Sequence, residues 1–343
     1  MKTVYSEKHK LHHAKFELIN GRMQPAVEMP SRAETVLDRV KAVGLGPVVG
    51  PSEHGLDPIL KVHDAGYVAF LEKAWDLWSA EGRDYEALPL VWAVRGLRQI
   101  EPEHIDGKLS YYSFDAGTPI TAGTWAAATA SADVALTGAD LLRTGAPAAF
   151  ALCRPPGHHA AADFYGGYCF LNNAAIAAQS FIDADAGQVA ILDVDYHHGN
   201  GTQAIFYRRP DVYFASIHGD PRQEYPFFLG YADETGEGAG EGCNVNYPLA
   251  WGSDFATWSA ALDDACRRIA AYGPDAVVVS LGVDTFEKDP ISQFKLQSDD
   301  YLKIGEAIAG LGKPTLFVME GGYAVAEIGV NAVNVLQGFE GRS

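Results

Sequence analysis

The chain contains 343 residues, 48% of them hydrophobic, and carries a formal net charge of −18 at pH 7. Nucleic acids and anionic membrane surfaces are polyanions that bind basic faces, so this charge argues against both as partners and favours cationic ones. The same acidic excess is also consistent with a need for solubility or with adaptation to high salt.

The start of the chain lacks an apolar segment after its basic residues, and no stretch is long enough to span a bilayer. The four cysteines, Cys153, Cys169, Cys243 and Cys266, show no close pairing. This pattern favours a reducing compartment and argues against a cysteine zinc site. We therefore expect a cytoplasmic protein.

Alternating apolar runs and helical patterns predict one α/β domain over residues 1–343, a doubly wound parallel sheet flanked by helices. No linker-like tract or charge block divides the chain. A helix with apolar residues from Phe255 to Ile269 follows Ser253, its expected N-cap, and ends at Gly273-Pro274. Strands are predicted at 148–152, 188–194, 211–217, 276–280 and 314–319.

Two carboxylates and two imidazoles follow the second of these strands, where its apolar run ends: Asp193, Asp195, His197 and His198. Burying them together would carry a large desolvation penalty unless a cation or dense hydrogen bonding compensated it. Asp195 and His197 point to the same side of an extended chain, so both can ligate one ion. This segment therefore predicts a metal site.

Two other strand ends add polar groups to the same rim. His158 and His159 follow the first predicted strand, and Asp284 follows the fourth. In a doubly wound sheet the carboxyl ends of the strands form the site, so these residues can meet although they are distant in sequence. Asp195, His197 and Asp284 then form a three-ligand site with a position left open for water, as in catalytic rather than structural zinc sites.

Five longer motifs surround these residues. They are Arg-Pro-Pro-Gly-His-His at 154–159, Gly-Gly-Tyr-Cys-Phe-Leu-Asn-Asn at 166–173, Asp-Val-Asp-Tyr-His-His-Gly-Asn-Gly-Thr-Gln at 193–203, Gly-Val-Asp at 282–284 and Glu-Gly-Gly-Tyr at 320–323. In this order they resemble the zinc-dependent deacetylases of the arginase–deacetylase fold, nearly end to end. Within that family, Val-Tyr-Ser-Glu-Lys-His-Lys-Leu at 4–11 and Asp-Pro-Ile-Ser at 289–292 are similar to bacterial acetylpolyamine amidohydrolases.

The resemblance implies a mechanism in which zinc activates a water molecule and polarises the amide carbonyl that this water attacks. His159 is then the general base and later the acid, and His158 has an electrostatic role. Tyr323 donates to the oxyanion from a turn that its neighbouring glycines make mobile. Asp193 and Asn200 orient the two imidazoles.

The resemblance also implies how the substrate is selected. Residues 82–120, which show weak periodicity, match a long insertion that narrows the active-site mouth and builds a homodimer. Asp106 and Glu17 are candidates for contacting a distal ammonium group, with solvated surface as the alternative. A second acidic position of this loop is Gly117 here, so polyamine recognition need not be identical.

Aromatic residues are expected to line the tunnel to the zinc. Gly167 and Tyr168, with Tyr225, match the family's tunnel walls, where flat rings can enclose an aliphatic linker and attract a cation. Packing in the core is the alternative for either tyrosine.

The resemblance further implies bound K⁺, held largely by backbone oxygens. One potassium site comprises Asp193, Asp195, His197, Ser216 and Ile217. A second site comprises Phe206, Arg209, Val212 and Tyr247.

Several functions compete at this point. Hydrolysis of acetylated polyamines or similar small acetylated amines is favoured by the long acidic loop, and deacetylation of acetyl-lysine in proteins uses the same chemistry. A catalytically silent binder would have lost Tyr323, a tandem histidine or a metal ligand, and none is lost. An arginase-type enzyme with two manganese ions would need a second ligand set. The three ligands would also accept iron(II), cobalt or manganese, so zinc rests on the resemblance.

The other histidines considered are predicted to lie on the surface: His12, His13, His63, His104 and His218. Asp289 is predicted to be a structural loop or capping carboxylate.

Overall fold

The computed structural model describes residues 1–341. Within them, the strands are β1 Lys2–Val4, β2 Phe16–Ile19, β3 Arg22–Pro25, β4 Val48–Val49, β5 Ala148–Ala151, β6 Val189–Asp193, β7 Val212–Gly219, β8 Asn244–Leu249, β9 Ala276–Leu281 and β10 Thr315–Met319. The helices are α1 Ser31–Ala42, α2 Asp57–Leu60, α3 Ala65–Ala80, α4 Ile105–Tyr112, α5 Thr124–Arg143, α6 Asn173–Asp183, α7 Asn200–Phe206, α8 Phe255–Tyr272, α9 Asp300–Ala309 and α10 Ile328–Phe339. Two short 3₁₀ segments lie at Glu7–Leu11 and Gly238–Gly240.

Eight strands form one parallel sheet in the order β4-β1-β5-β10-β9-β6-β7-β8. The remaining two, β2 and β3, form a separate antiparallel hairpin. All five strands predicted from the sequence belong to the large sheet. The expected doubly wound parallel sheet flanked by helices is confirmed.

Both faces of the sheet are covered, and alternate residues of each strand enter two different cores. In β10, Leu316 and Val318 join the core that includes α3, α5 and α6. Phe317 and Met319 join the core on the other face, with α1, α8, α9 and α10. Strands buried on both faces read as continuous apolar runs, which explains why the sequence located them.

The helix predicted after Ser253 is α8, but its N-cap is Asp254, one residue later. The Asp254 side chain accepts a hydrogen bond from the amide of Thr257 over 3.0 Å, which satisfies one of the free amides of the first turn. Gly273 ends the helix as predicted, with a φ of 75° that favours glycine.

The carboxyl ends of four adjacent strands, β5, β10, β9 and β6, lie level with one another. Val318 pairs with both Ala151 and Ser280, and Ser280 pairs with Asp193. The loops that leave these four ends carry the tandem histidines, the predicted metal ligands and the turn at 320–323, called the tyrosine turn because it contains Tyr323. The fold therefore brings segments from distant parts of the chain to one rim.

Three of the histidines predicted on the surface are buried, so that prediction was wrong for them; His13 and His104 are exposed. Each buried ring is hydrogen-bonded to a group distant in sequence, which a local pattern does not reveal. The pairs are His12 Nδ1 with Thr124 Oγ1 at 2.9 Å, His63 Nδ1 with the Ala161 carbonyl at 2.8 Å, and His218 Nε2 with the Gly230 carbonyl at 2.8 Å.

In the segment 82–120, the residues before α4 have little regular secondary structure. An isolated bridge between Ala87 and Ile120 joins the two ends of the segment. Several of its large apolar side chains are exposed: Tyr85, Leu90, Val91, Val94, Leu97 and Ile100. Across residues 1–341, none of the helices combines the length and the apolar character needed to cross a membrane.

Candidate active site

The predicted metal ligands converge beyond the ends of β6 and β9. Nδ1 of His197 lies 3.0 Å from Oδ2 of Asp284 and 3.4 Å from Oδ1 of Asp195. All three side chains are buried, and one ligand atom from each lies within 4.8 Å of the other two. The structure thus forms the tripod of one imidazole and two carboxylates that the strand ends indicated.

The two carboxylates of the tripod repel each other in a buried environment. Burial and the charge of Asp195 raise the pKa of Asp284 to about 7. A divalent cation would relieve this repulsion, and the oxygen and nitrogen donors suit zinc, so these residues fit that ion. Iron(II), cobalt and manganese accept the same donors.

Backbone amides hold both carboxylates in place. Gly321 N donates to Oδ2 of Asp195 and Tyr196 N donates to Oδ1 of Asp284, each over 2.8 Å. Gly282 has no space for a side chain, because a Cβ atom would lie 2.0 Å from Oδ2 of Asp195. The tripod is therefore preorganised by the loops after β6, β9 and β10.

Each tandem histidine is oriented by its predicted partner. Nδ1 of His158 lies 2.9 Å from Oδ2 of Asp193, and Nδ1 of His159 lies 2.6 Å from Oδ1 of Asn200. Because an amide oxygen only accepts, Nδ1 of His159 carries the proton and its Nε2 is free to accept another. Glycine is needed at Gly167, where a Cβ atom would lie 2.1 Å from the His159 ring.

The pKa values of the two histidines shift in opposite directions. Burial lowers the pKa of His159 well below its usual value, and His158 and His197 add to this effect. Burial alone would also lower the pKa of His158, but the carboxylates of Asp195 and Asp193 raise it to about 10. A cation at the tripod would lower both. His159 is therefore suited to accept a proton and His158 to supply positive charge.

Tyr323 lies on the turn after β10, with its ring 5.5 Å from that of Tyr168. This turn, expected to be mobile, is held on both sides. Its Tyr323 amide donates to Oδ2 of Asp289 over 2.7 Å, and Nε of Arg32 donates to the Gly322 carbonyl over 2.6 Å. Asp289 is thus a loop-capping carboxylate that also places the backbone of Tyr323.

A buried ionic network supports this turn, and no sequence pattern indicated it. Glu28 accepts from Nη1 of Arg32 and from Nη2 of Arg154, each over 2.8 Å. The Arg32 guanidinium also stacks on the Tyr323 ring, 4.6 Å from its centre. Both arginines are paired, which offsets the cost of burying their charges.

A cavity of about 700 Å³ opens over the tripod, with His158, His159 and His197 in its wall. Among the described residues that line it, two are carboxylates and none is lysine or arginine. A cavity with this lining suits a cationic guest that has an apolar linker. Its aromatic residues are Tyr168, Tyr225, Phe227, Trp251 and Tyr323.

The two carboxylates in the cavity wall are Asp115 and Glu224, and the sequence reasoning missed both. Oδ2 of Asp115 accepts from Gly167 N over 2.6 Å and from the Tyr225 hydroxyl over 2.8 Å. Oε2 of Glu224 accepts from Nε1 of Trp251 over 3.0 Å. The only signal for Glu224 was its position beside Tyr225, and Asp115 had none beyond its place in the long loop.

The predicted substrate residues fall into two groups. Glu17 is fully buried and accepts from Val27 N over 3.1 Å, and burial raises its pKa to about 7. Asp106 forms an ion pair with Arg83. Neither is among the residues that line the cavity. The other three line it: Gly167, Tyr168 and Tyr225.

The residues predicted to bind potassium are only partly brought together. Asp193 pairs with Ser216 across β6 and β7, so the first group is contiguous. Tyr247 pairs with Ile217, five residues along β7 from Val212. At about 3.3 Å per residue this is about 16 Å, so Tyr247 does not join the second group. The rest of that group runs from the last residue of α7 to the first residue of β7: Phe206, Arg209 and Val212.

Known proteins are similar to this chain in sequence and in fold. Residues 26–339 match the family model described as the histone deacetylase domain. Acetylpolyamine amidohydrolases 2 and 1 of Pseudomonas aeruginosa are 67% and 64% identical to this chain over 341 and 343 residues, covering 99% of each chain. The crystal structure of acetylpolyamine aminohydrolase from Burkholderia pseudomallei matches with a TM-score of 0.94 and 42% identity, covering 100% of this chain and 99% of that one.

Proposed function

The chain belongs to the histone deacetylase domain family, and from that premise we propose that it is a zinc-dependent amidohydrolase that removes acetyl groups from acetylated polyamines and similar small acetylated amines. The observation that carries this proposal is the cavity over the tripod. Its described lining combines aromatic rings and two carboxylates with no lysine or arginine. The names of the Pseudomonas aeruginosa relatives support the same substrate class.

Zinc would be held by Asp195, His197 and Asp284. When bound, this ion polarises an amide carbonyl and makes a water molecule more acidic. The ligands are buried and their carboxylates are already oriented by backbone amides, so little rearrangement is needed for binding.

The residues around the tripod supply the proton transfers. The free Nε2 of His159 removes the proton from the attacking water and later gives it to the leaving amine. His158, hydrogen-bonded to Asp193, stabilises negative charge as it develops. Tyr323 donates a hydrogen bond to the carbonyl oxygen as that oxygen becomes negative.

The cavity wall selects the amine. Tyr168 and Tyr225 contact the aliphatic linker, and Asp115 and Glu224 attract the ammonium groups beyond it. Asp106 is less suited to this task, because its carboxylate is paired with Arg83 outside the cavity. Glu17 is buried outside the cavity lining, where its carboxylate accepts from Val27 N.

Glu224→Gln is expected to weaken binding of cationic substrates selectively. The substitution removes a charge at the half-buried edge of the cavity, so the KM for N-acetylputrescine and acetylspermidine should rise about fivefold, or ~1 kcal/mol. Hydrolysis of uncharged N-butylacetamide should not change. Glu237→Gln, which removes a charge from an exposed pair with Arg208, is the matched control. An equal change for both substrates would contradict the role of Glu224.

The competing functions fit the site less well. A silent binder would lack part of the catalytic set, yet His158, His159, Tyr323 and the tripod are all in place. An arginase-type site would need a second ligand set beside the tripod. Among the described residues, the one other group that could hold an ion is His158, Cys169 and Glu320, which offers a single carboxylate and shares no residue with the tripod, so it is not the second carboxylate-rich ligand set of a two-manganese site.

Potassium binding near Asp193 and Ser216 is supported by the pairing of these residues at the end of β6 and β7. It would stabilise the loop that carries the tripod. A cytoplasmic location is supported by the free state of all four cysteines. Thermal unfolding with and without K⁺ tests the first assignment, since bound K⁺ should raise the Tm.

A homodimer built by residues 82–120 is supported by the exposed apolar side chains of that segment. Leu90 is 78% exposed and Val94 is 63% exposed, which is unusual for large apolar residues of one segment unless a partner covers them. Light scattering should give about twice the mass of one chain, and Leu90→Asp should shift it towards the mass of one chain. A wild-type protein with the mass of one chain would contradict the dimer.

A further inference from the structure

Glu320 is a buried carboxylate at the start of the tyrosine turn, and the proposed reaction assigns it no role. It is fully buried, and burial raises its pKa to about 8. Its Oε2 accepts from Gly157 N over 2.6 Å and from His158 N over 3.2 Å. Burying a carboxylate is costly, and these two hydrogen bonds offset part of that cost. The presence of a carboxylate at this position therefore calls for a reason.

The contacts of Glu320 with the backbone indicate its role better than its contacts with other side chains. It lies near His158 and Cys169, but Nδ1 of His158 is hydrogen-bonded to Asp193, and Sγ of Cys169 donates to the Gly167 carbonyl over 3.3 Å. Oε2 of Glu320 accepts from two backbone amides, whereas its Oε1 has no hydrogen-bond partner among the described residues. The hydrogen bonds that Glu320 accepts from the backbone are therefore the better guide to its role.

The backbone of the turn is fixed at the same place. The Glu320 carbonyl accepts from Nη2 of Arg32 over 2.7 Å, and the next amide, Gly321 N, donates to Asp195. Tyr323 lies three residues after Glu320. Glu320 therefore joins the loop of tandem histidines, through its side chain, to the turn whose backbone contacts the tripod at Gly321 and carries Tyr323.

We propose that Glu320 is a positioning residue that fixes the tandem-histidine loop relative to Tyr323 and the metal tripod. The inference rests on the proposed amide hydrolysis, in which His159 and Tyr323 act on the same carbonyl group. A misplacement of about 1 Å between reacting groups can cost about 10²-fold in rate. Two buried amides held by one carboxylate limit such movement, and without it both would be left unsatisfied.

The test compares two substitutions of Glu320 that separate the reach of the side chain from its carboxyl group. Glu320→Gln keeps an oxygen at the same distance, so kcat should stay within about threefold of wild type, because neutral acceptors still make such hydrogen bonds. Glu320→Asp keeps the carboxyl group but is one methylene shorter, and kcat should fall about 10- to 100-fold with KM and zinc content unchanged. Glu306→Asp, on the exposed surface of α9, is the matched control.

Hydrogen exchange gives a readout that does not depend on activity. The Gly157 and His158 amides should exchange faster in Glu320→Asp and at the wild-type rate in Glu320→Gln. Wild-type kcat and exchange in Glu320→Asp would overturn the inference, and so would equal losses in the two variants. If Glu320→Asp does not fold, loss of activity or protection in Glu320→Gln still overturns it. A wild-type protein inactive on all acetylated substrates would instead refute the proposed function, while the exchange data still test the role of Glu320.

Discussion

His159→Ala should fold and retain zinc but lose about 10³-fold in kcat for N-acetylputrescine, within the range expected for removing a general acid–base group. His159 has its Nδ1 fixed by Asn200, a lowered pKa and a free Nε2 facing the cavity. No other neutral imidazole in the described part of the cavity wall has this combination. Steady-state kinetics on zinc-loaded protein, with zinc measured by elemental analysis, would give the value.

The matched control for this substitution is His13→Ala, which removes an exposed imidazole. It should leave kcat and zinc content unchanged. A His159→Ala variant with near wild-type turnover would contradict the assignment of the base. A variant that loses both zinc and activity would instead show that His159 supports the tripod.

Tyr323→Phe should lower kcat about 10²- to 10³-fold, because it removes one hydrogen bond to the oxygen that becomes negative in the transition state. The ring should stay in place, since its packing on Tyr168 and Arg32 does not need the hydroxyl. Zinc content and Tm should therefore change little. Kinetics and thermal unfolding on the same preparation separate the two effects.

Tyr272→Phe is the matched control for that substitution, because it removes a hydroxyl that donates to the Pro210 carbonyl, far along the chain from the site. Its kcat should equal that of wild type. A Tyr323→Phe variant as active as this control would mean that the phenol does not stabilise the oxyanion.

The central strands and the tripod could be predicted because both leave local patterns. The strands β5, β6, β9 and β10 are buried on both faces and read as unbroken apolar runs. Charged and imidazole side chains directly after such runs have few explanations other than a metal-binding or catalytic site. The N-cap of α8 was misplaced by one residue because Ser253 and Asp254 can both accept from a first-turn amide, and only Asp254 does.

The cavity wall could not be predicted to the same extent. It is built by loops from distant parts of the chain, so whether a carboxylate faces the cavity depends on partners that no local pattern shows. Asp106 was predicted to contact the substrate but has an arginine partner, and Asp115, which was not predicted, has a place in the wall. The same reason explains the buried His12, whose partner is Thr124. Tyr247 was misplaced because the register of β8 on β7 is set by the sheet.

We propose that this site uses zinc to hydrolyse the amides of acetylated polyamines. Acetate release from N-acetylputrescine, acetylspermidine and an acetyl-lysine peptide, measured on one zinc-loaded preparation with a chelated control, tests it most directly. We expect turnover that the chelator abolishes and that favours the two free amines over the peptide. Equal acetate release with and without the chelator, a preference for the peptide, or no release from any of the three would contradict it.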